Sequence, residues 1–174
     1  MANHSVTGRM AEHLVCAELG RRNLIASTFT HNIPRFDLVV ADQLGNTLPI
    51  QVKGSNSDSW SFDGTKLMEI HFDAVAEIQT IVSETPCPTP DLIWVCVAIV
   101  SEEQQKDGQR DRFFILTECE IHRICIQNYC TMLEVYRGHR PKNWRSETFY
   151  WNTDDLAKYE NKWELIRERL DASA

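Results

Sequence analysis

Residues 92–100, LIWVCVAIV, constrain the fold more than any other stretch of the chain. Nine apolar residues fall well short of the ~20 that a membrane helix needs. A continuous run has no polar face to turn toward water, so it predicts a central strand buried on both sides. A sheet with such a strand must be covered by helices on both faces, which is the layering of a mixed α/β domain.

The flanking patterns supply the layers. Met10, Leu14 and Leu19 recur at helical spacing and predict a helix over 7–22, with Ser5 or Thr7 as N-cap and Gly20 near its stop. Short strands are expected at 24–30, 36–41, 47–54 and 60–62, and the alternation over 67–72 also suits a strand. From Asp73 the spacing of Val75, Ile78 and Ile81 predicts a helix, ended by Pro86, Pro88 and Pro90. A return strand is expected at 112–116. The capping box Thr117 to Glu120 opens another helix through Ile121, Ile124 and Cys125. A last strand at 148–151 precedes a final helix from Thr153, with Leu156, Tyr159, Trp163, Ile166 and Leu170 on one face. The 174 residues show no repeat and no linker, so 1–174 reads as a single domain.

Charge narrows the partners. The net charge of −7 argues against a protein that coats nucleic acid by bulk electrostatics. Residues 137–145, RGHRPKNWR, nevertheless carry four cations and no acid. Arg137, Arg140, Lys142 and Arg145, with Trp144 able to stack on bases, form a candidate nucleic-acid contact. The first twenty residues include Arg9, Glu12, His13 and Glu18 and lack the apolar stretch of a signal peptide. The expectation is a cytoplasmic protein whose six cysteines are reduced. Cys119, His122, Cys125 and Cys130 match no common zinc spacing.

The chemistry concentrates between Glu12 and Lys53. Asp37 stands among apolar strand residues, where an unpaired charge is costly. On the returning strand Gln51 and Lys53 share one face, and Ile50 and Val52 share the other. A three-residue turn at 44–46 would pair Asp37 with Lys53 and put all three polar groups on one face; a two-residue turn would separate them. Asp37 and Lys53 also suit an ordinary cross-strand ion pair, and Glu12 suits a helix-surface pair with Arg9. Arg9, Arg21, Arg22 and Arg35 flank this region as candidate phosphate contacts.

Asp37, then Gln51-x-Lys53 on a hairpin, after a helix carrying Gly8-Arg9-Met10-Ala11-Glu12, resembles the PD-(D/E)XK nuclease superfamily. Within it the pattern is most similar to the Holliday-junction-resolvase-like and Mrr-type restriction branches. The resemblance covers a core of about 7–116, with about 117–174 as a C-terminal helical extension. It implies a restriction-endonuclease-like sheet flanked by helices and magnesium-dependent hydrolysis of DNA, with manganese able to substitute. Glu12, Asp37, Gln51 and the Val52 carbonyl would hold the metal, and Lys53 would orient the water or stabilise the developing charge. Gln51 departs from the commoner acid and removes one negative charge. RNA is an alternative substrate, and a homodimer is the family tendency. The competing reading is a catalytically inactive nuclease fold that binds nucleic acid or a partner protein.

Overall fold

In a computed structural model describing residues 4–30 and 34–172, helix α1 (His4–Arg21) leads into seven strands. These are β1 (Ile25–Thr28), β2 (Leu38–Ala41), β3 (Thr47–Ser55), β4 (Ser59–Asp63), β5 (Met68–Asp73), β6 (Ile78–Glu84) and β7 (Ile93–Ala98). A short helix α2 (Glu102–Lys106) precedes β8 (Arg112–Thr117), the long helix α3 (Glu118–Val135), β9 (Thr148–Asn152) and α4 (Glu164–Asp171). Five strands form the central sheet in the order β1-β2-β3-β7-β8. β3 and β7 run parallel and the other neighbours antiparallel, so the sheet is mixed.

β7 is covered on both faces, as its sequence demands. Ile93, Val95 and Val97 pack with Ala11, Val15 and Leu19 of α1 and with Ile166 and Leu170 of α4. Cys96 and Ala98 face the other way, into a core built from α3 and the two-stranded ribbon β4–β9. The chain is thus an α/β fold, with a mixed sheet between helical layers. Among the described residues no helix is long and apolar enough to cross a membrane.

α1 buries Ala11, Val15 and Leu19, one step around the helix from the expected Met10 and Leu14 stripe. It ends where Asn23 takes a left-handed φ of 59° rather than at Gly20. α1 also sits unusually close to β3. A Cβ on Gly54 would stand 2.6 Å from the Ala11 Cβ and 3.0 Å from the Thr7 carbonyl oxygen. The missing side chain is what allows the helix down onto the strand.

Two expectations are corrected. The segment from Asp73 is no helix but the turn of a β5–β6 hairpin. The Asp73 carboxylate accepts from the amides of Val75 and Ala76 at 2.8 and 2.9 Å, and Glu77 is left-handed at φ 55°. Val75, which seemed to start an apolar helical stripe, is 96% exposed at the turn. The final helix is also broken. Leu156 and Tyr159 pack in the α3 core, whereas Trp163, Ile166 and Leu170 pack in the α1 core. Between them Asn161 turns left-handed at φ 56° and donates to the Phe113 carbonyl at 2.8 Å. Glu160 meanwhile accepts both arms of Arg112 at 2.9 and 2.8 Å. The chain crosses the β8 edge of the sheet there, and a continuous helix would reach only one core.

Candidate active site

The site forms where β2 and β3 part. Their last ladder pair is Leu38 with Ile50, and the Asp37 amide still donates to the Ile50 carbonyl at 2.9 Å. One step further brings Asp37 level with Gln51, not with Lys53. The connection is the five residues 42–46 instead of three, held by Asp42, whose carboxylate accepts from the Leu44 and Asn46 amides at 2.9 Å. Five is still an odd number, so Asp37, Gln51 and Lys53 keep a common face although the register is shifted by two.

Beyond Ile50 the peptide groups of β3 that point toward β2 have no strand to meet. The Val52 amide donates to the Asp37 carboxylate at 2.7 Å. The Gln51 amide nitrogen donates to the same carboxylate oxygen and reaches the Val52 carbonyl at 3.3 Å. Asp37 is therefore held by Gln51 and Val52, and Lys53 acts on it by longer-range attraction, not through the alternative cross-strand ion pair. α1 brings Glu12 to the same place, because Gly54 lets the helix approach. Glu12, Asp37, Gln51, Val52 and Lys53 all line one open cleft of about 560 Å³.

Burial dominates the electrostatics of the two acids. Burial pushes the Asp37 carboxyl above its usual range, against the Val52 and Gln51 hydrogen bonds and the Lys53 charge. Burial raises Glu12 as well, the Asp37 charge adds to it, and Arg9 opposes both from 3.5 Å. So the surface pair with Arg9 exists, and Glu12 lines the cleft too. Among the described residues no three His, Cys, Asp or Glu gather as a metal site. The donor set here is two carboxylates, a side-chain amide and a backbone carbonyl, all oxygen ligands of the kind magnesium takes. The Val52 carbonyl, left without a strand partner, fits that use. The Gln51 amide would have to turn over, since its N–H groups now face the two oxygens a cation would share.

The remaining candidates divide. In the 137–145 loop Arg140 is an internal anchor, donating to the carbonyls of Ser146 at 2.6 Å and of Thr148 and lying over the Tyr129 ring. Trp144 packs against Phe72 and under Arg145. Arg137, Lys142 and Arg145 remain exposed, and none of the five lines the cleft. Arg21 and Arg22 pair with Glu18 toward the C-terminal end of α1, away from the cleft, and Arg22 lies over Trp163. Arg9 donates to the Phe29 carbonyl at 3.0 Å. Trp60, Trp151 and Trp163 are buried, whereas Trp94 is only partly so. The sequence reading missed Tyr150, 65% exposed on β9 and paired with Ser61, which lines the same cleft. Its place depends on the pairing of β4 with β9, and no local pattern signals that.

No family model matches the sequence, and no curated protein matches it. Among solved structures, the chain is similar to a bacterial homing endonuclease at 16% identity. The match covers 98% of this chain and 97% of that one, with a TM-score of 0.47.

Proposed function

We propose that this protein is a nuclease that hydrolyses phosphodiester bonds in DNA with a bound magnesium, for which manganese can substitute. The observation that carries the reading is the convergence of Asp37, Gln51, the Val52 carbonyl and Lys53 at the parting of β2 and β3, with Glu12 beside them. Asp37, Glu12, Gln51 and Val52 would hold the ion, and Gln51 leaves Glu12 to supply the second negative charge. When bound, magnesium supplies an activated water and neutralises charge on the phosphate oxygens. Lys53 reaches the phosphate from the same face and stabilises the negative charge that builds on its oxygens as water adds and the leaving oxygen departs. Tyr150 and the hydroxyls of the 55–59 loop border the path of the sugar-phosphate chain. RNA would meet the same groups, and a second copy of the chain would serve the opposite strand of a duplex.

The test is cleavage of supercoiled plasmid, branched DNA and single strands with Mg²⁺ or Mn²⁺. Wild type should cut, and Asp37→Ala and Lys53→Ala, both checked for folding, should each lose about 10²–10³-fold or more. Cutting that persists in both variants, or no cutting and no metal-dependent rise in melting temperature, overturns the reading. One observation favours a non-catalytic binding module. The Gln51 amide satisfies both Asp37 and Val52, so the site closes on itself without a cation. In that case Mn²⁺ would leave the melting temperature unchanged while DNA still bound.

A further inference from the structure

Lys53 borders two clefts. On its other side lies a second cavity of about 350 Å³, between β4, the 86–90 loop and the start of α3. That volume is within the ~300–1,000 Å³ of small-molecule sites. Its walls combine three kinds of group. Phe62 and Trp94 form an aromatic corner, with ring centroids 6.1 Å apart and planes at 43°. Arg35, Lys53 and Lys66 are cations, and neither lysine forms an ion pair among the described residues. The two acids on the rim are already engaged, Asp63 by the Thr65 amide and hydroxyl and Glu118 by the Thr89 hydroxyl.

The third kind is His122, on the buried side of α3. It is only 7% exposed, and its remaining surface lines this cavity. It makes no side-chain hydrogen bond among the described residues, and its ring nitrogens are not fully buried, so they stay open to a partner in the cavity. Burial also presses its pKa down, against Glu118 and Glu84, so the ring is held neutral with one donor and one acceptor nitrogen. Aromatic walls suit a flat ligand with apolar faces. A donor–acceptor ring such as His122, beside the Ser61 hydroxyl, suits that ligand's polar edge, and adjacent cations suit a phosphate. A nucleotide has all three.

We infer that this second cleft takes up one unstacked nucleotide next to the bond being cut, its base against Phe62 and Trp94, its base edge at His122 and its phosphate at Lys53 and Lys66. The inference deepens the nuclease reading by giving it a base-selective subsite, and it can be tested without cleavage. The probes are the four 2′-deoxynucleoside 5′-monophosphates, with inorganic phosphate and the free nucleosides as controls, added to the full chain in EDTA. The His122 ring signals are followed by NMR.

At least one nucleotide should shift the His122 signals with a dissociation constant of about 1 mM or tighter. Lys66→Ala should weaken it at least fivefold, and His122→Asn should level the differences between bases. No shift at His122 with any nucleotide overturns the inference. Equal binding of phosphate alone also overturns it, leaving only an anion site. Nucleotide binding in a chain that never cleaves keeps the cleft and removes the nuclease reading; cleavage without nucleotide binding does the reverse.

Discussion

Asp37 is held by two hydrogen bonds and a nearby ammonium, yet burial still keeps its proton on to a higher pH than in the unfolded chain. The folded state therefore binds more protons than the unfolded state once pH rises past ~3.9, the ordinary aspartate value. Stability falls as pH climbs from there through the raised folded value, and Glu12 adds to the same trend. Asp37→Asn removes that cost, because the Gln51 amide can turn to offer its oxygen to the new side chain. The variant should melt higher than wild type at pH 7, and the gap should close below about pH 3. For a chain of this size about 1 kcal/mol corresponds to roughly 2–4 °C. Added Mn²⁺ should raise the melting temperature of wild type and leave Asp37→Asn where it is. A variant that melts lower than wild type at pH 7 would mean that Asp37 is a structural residue.

At the scale of elements, Gly54 sets how near α1 comes to β3, and so where Glu12 sits. Gly54→Ala should cost about 1–3 kcal/mol by overpacking. On the nuclease reading it should also lower the cleavage rate more than stability explains, because Glu12 is carried outward with the helix. Ala11→Gly in the same chain removes the nearer clash, at 2.6 Å, and should restore part of both in denaturation and rate measurements. The common face of Asp37, Gln51 and Lys53 was legible in the sequence because strand periodicity is rigid and charges among apolar neighbours are rare. The register was not, since it hangs on the turn that Asp42 builds from its own side chain. The β5–β6 hairpin was hidden for a different reason. Spacing at 75, 78 and 81 fits a helix. What decides against it is distant: Gln79, 2% exposed, donates to the carbonyls of Trp144 and Ser146 and accepts from the Tyr129 hydroxyl. The apolar stripe from Leu156 to Leu170 was read correctly as buried, and only contacts with β8 show that it serves two cores.

At the scale of the whole molecule, the nuclease reading requires that a chain of net charge −7 still let an anionic polymer approach. Four cations border the two clefts or stand beside them: Arg9, Arg35, Lys53 and Lys66. If these are the phosphate contacts, the logarithm of DNA affinity should fall with the logarithm of salt at a slope of about −3 to −4. Engagement of Arg137, Lys142 and Arg145 as well would steepen it to about −6. Fluorescence anisotropy across a salt series, with those three changed to alanine together, separates the cases. An unchanged slope in the triple variant would remove the 137–145 loop from the DNA surface.

The pairing of β4 with β9 also has a consequence in time. Glu12, Asp37, Gln51 and Lys53 leave the ribosome early, but Tyr150 and the strand that carries it follow about a hundred residues later. At 5–20 residues per second that interval is roughly 5–20 s. Throughout it a nascent chain carries every charged group of the candidate site but lacks the wall that would hold a nucleic acid against them. On the nuclease reading, cutting would have to wait until β9 has been made and paired with β4.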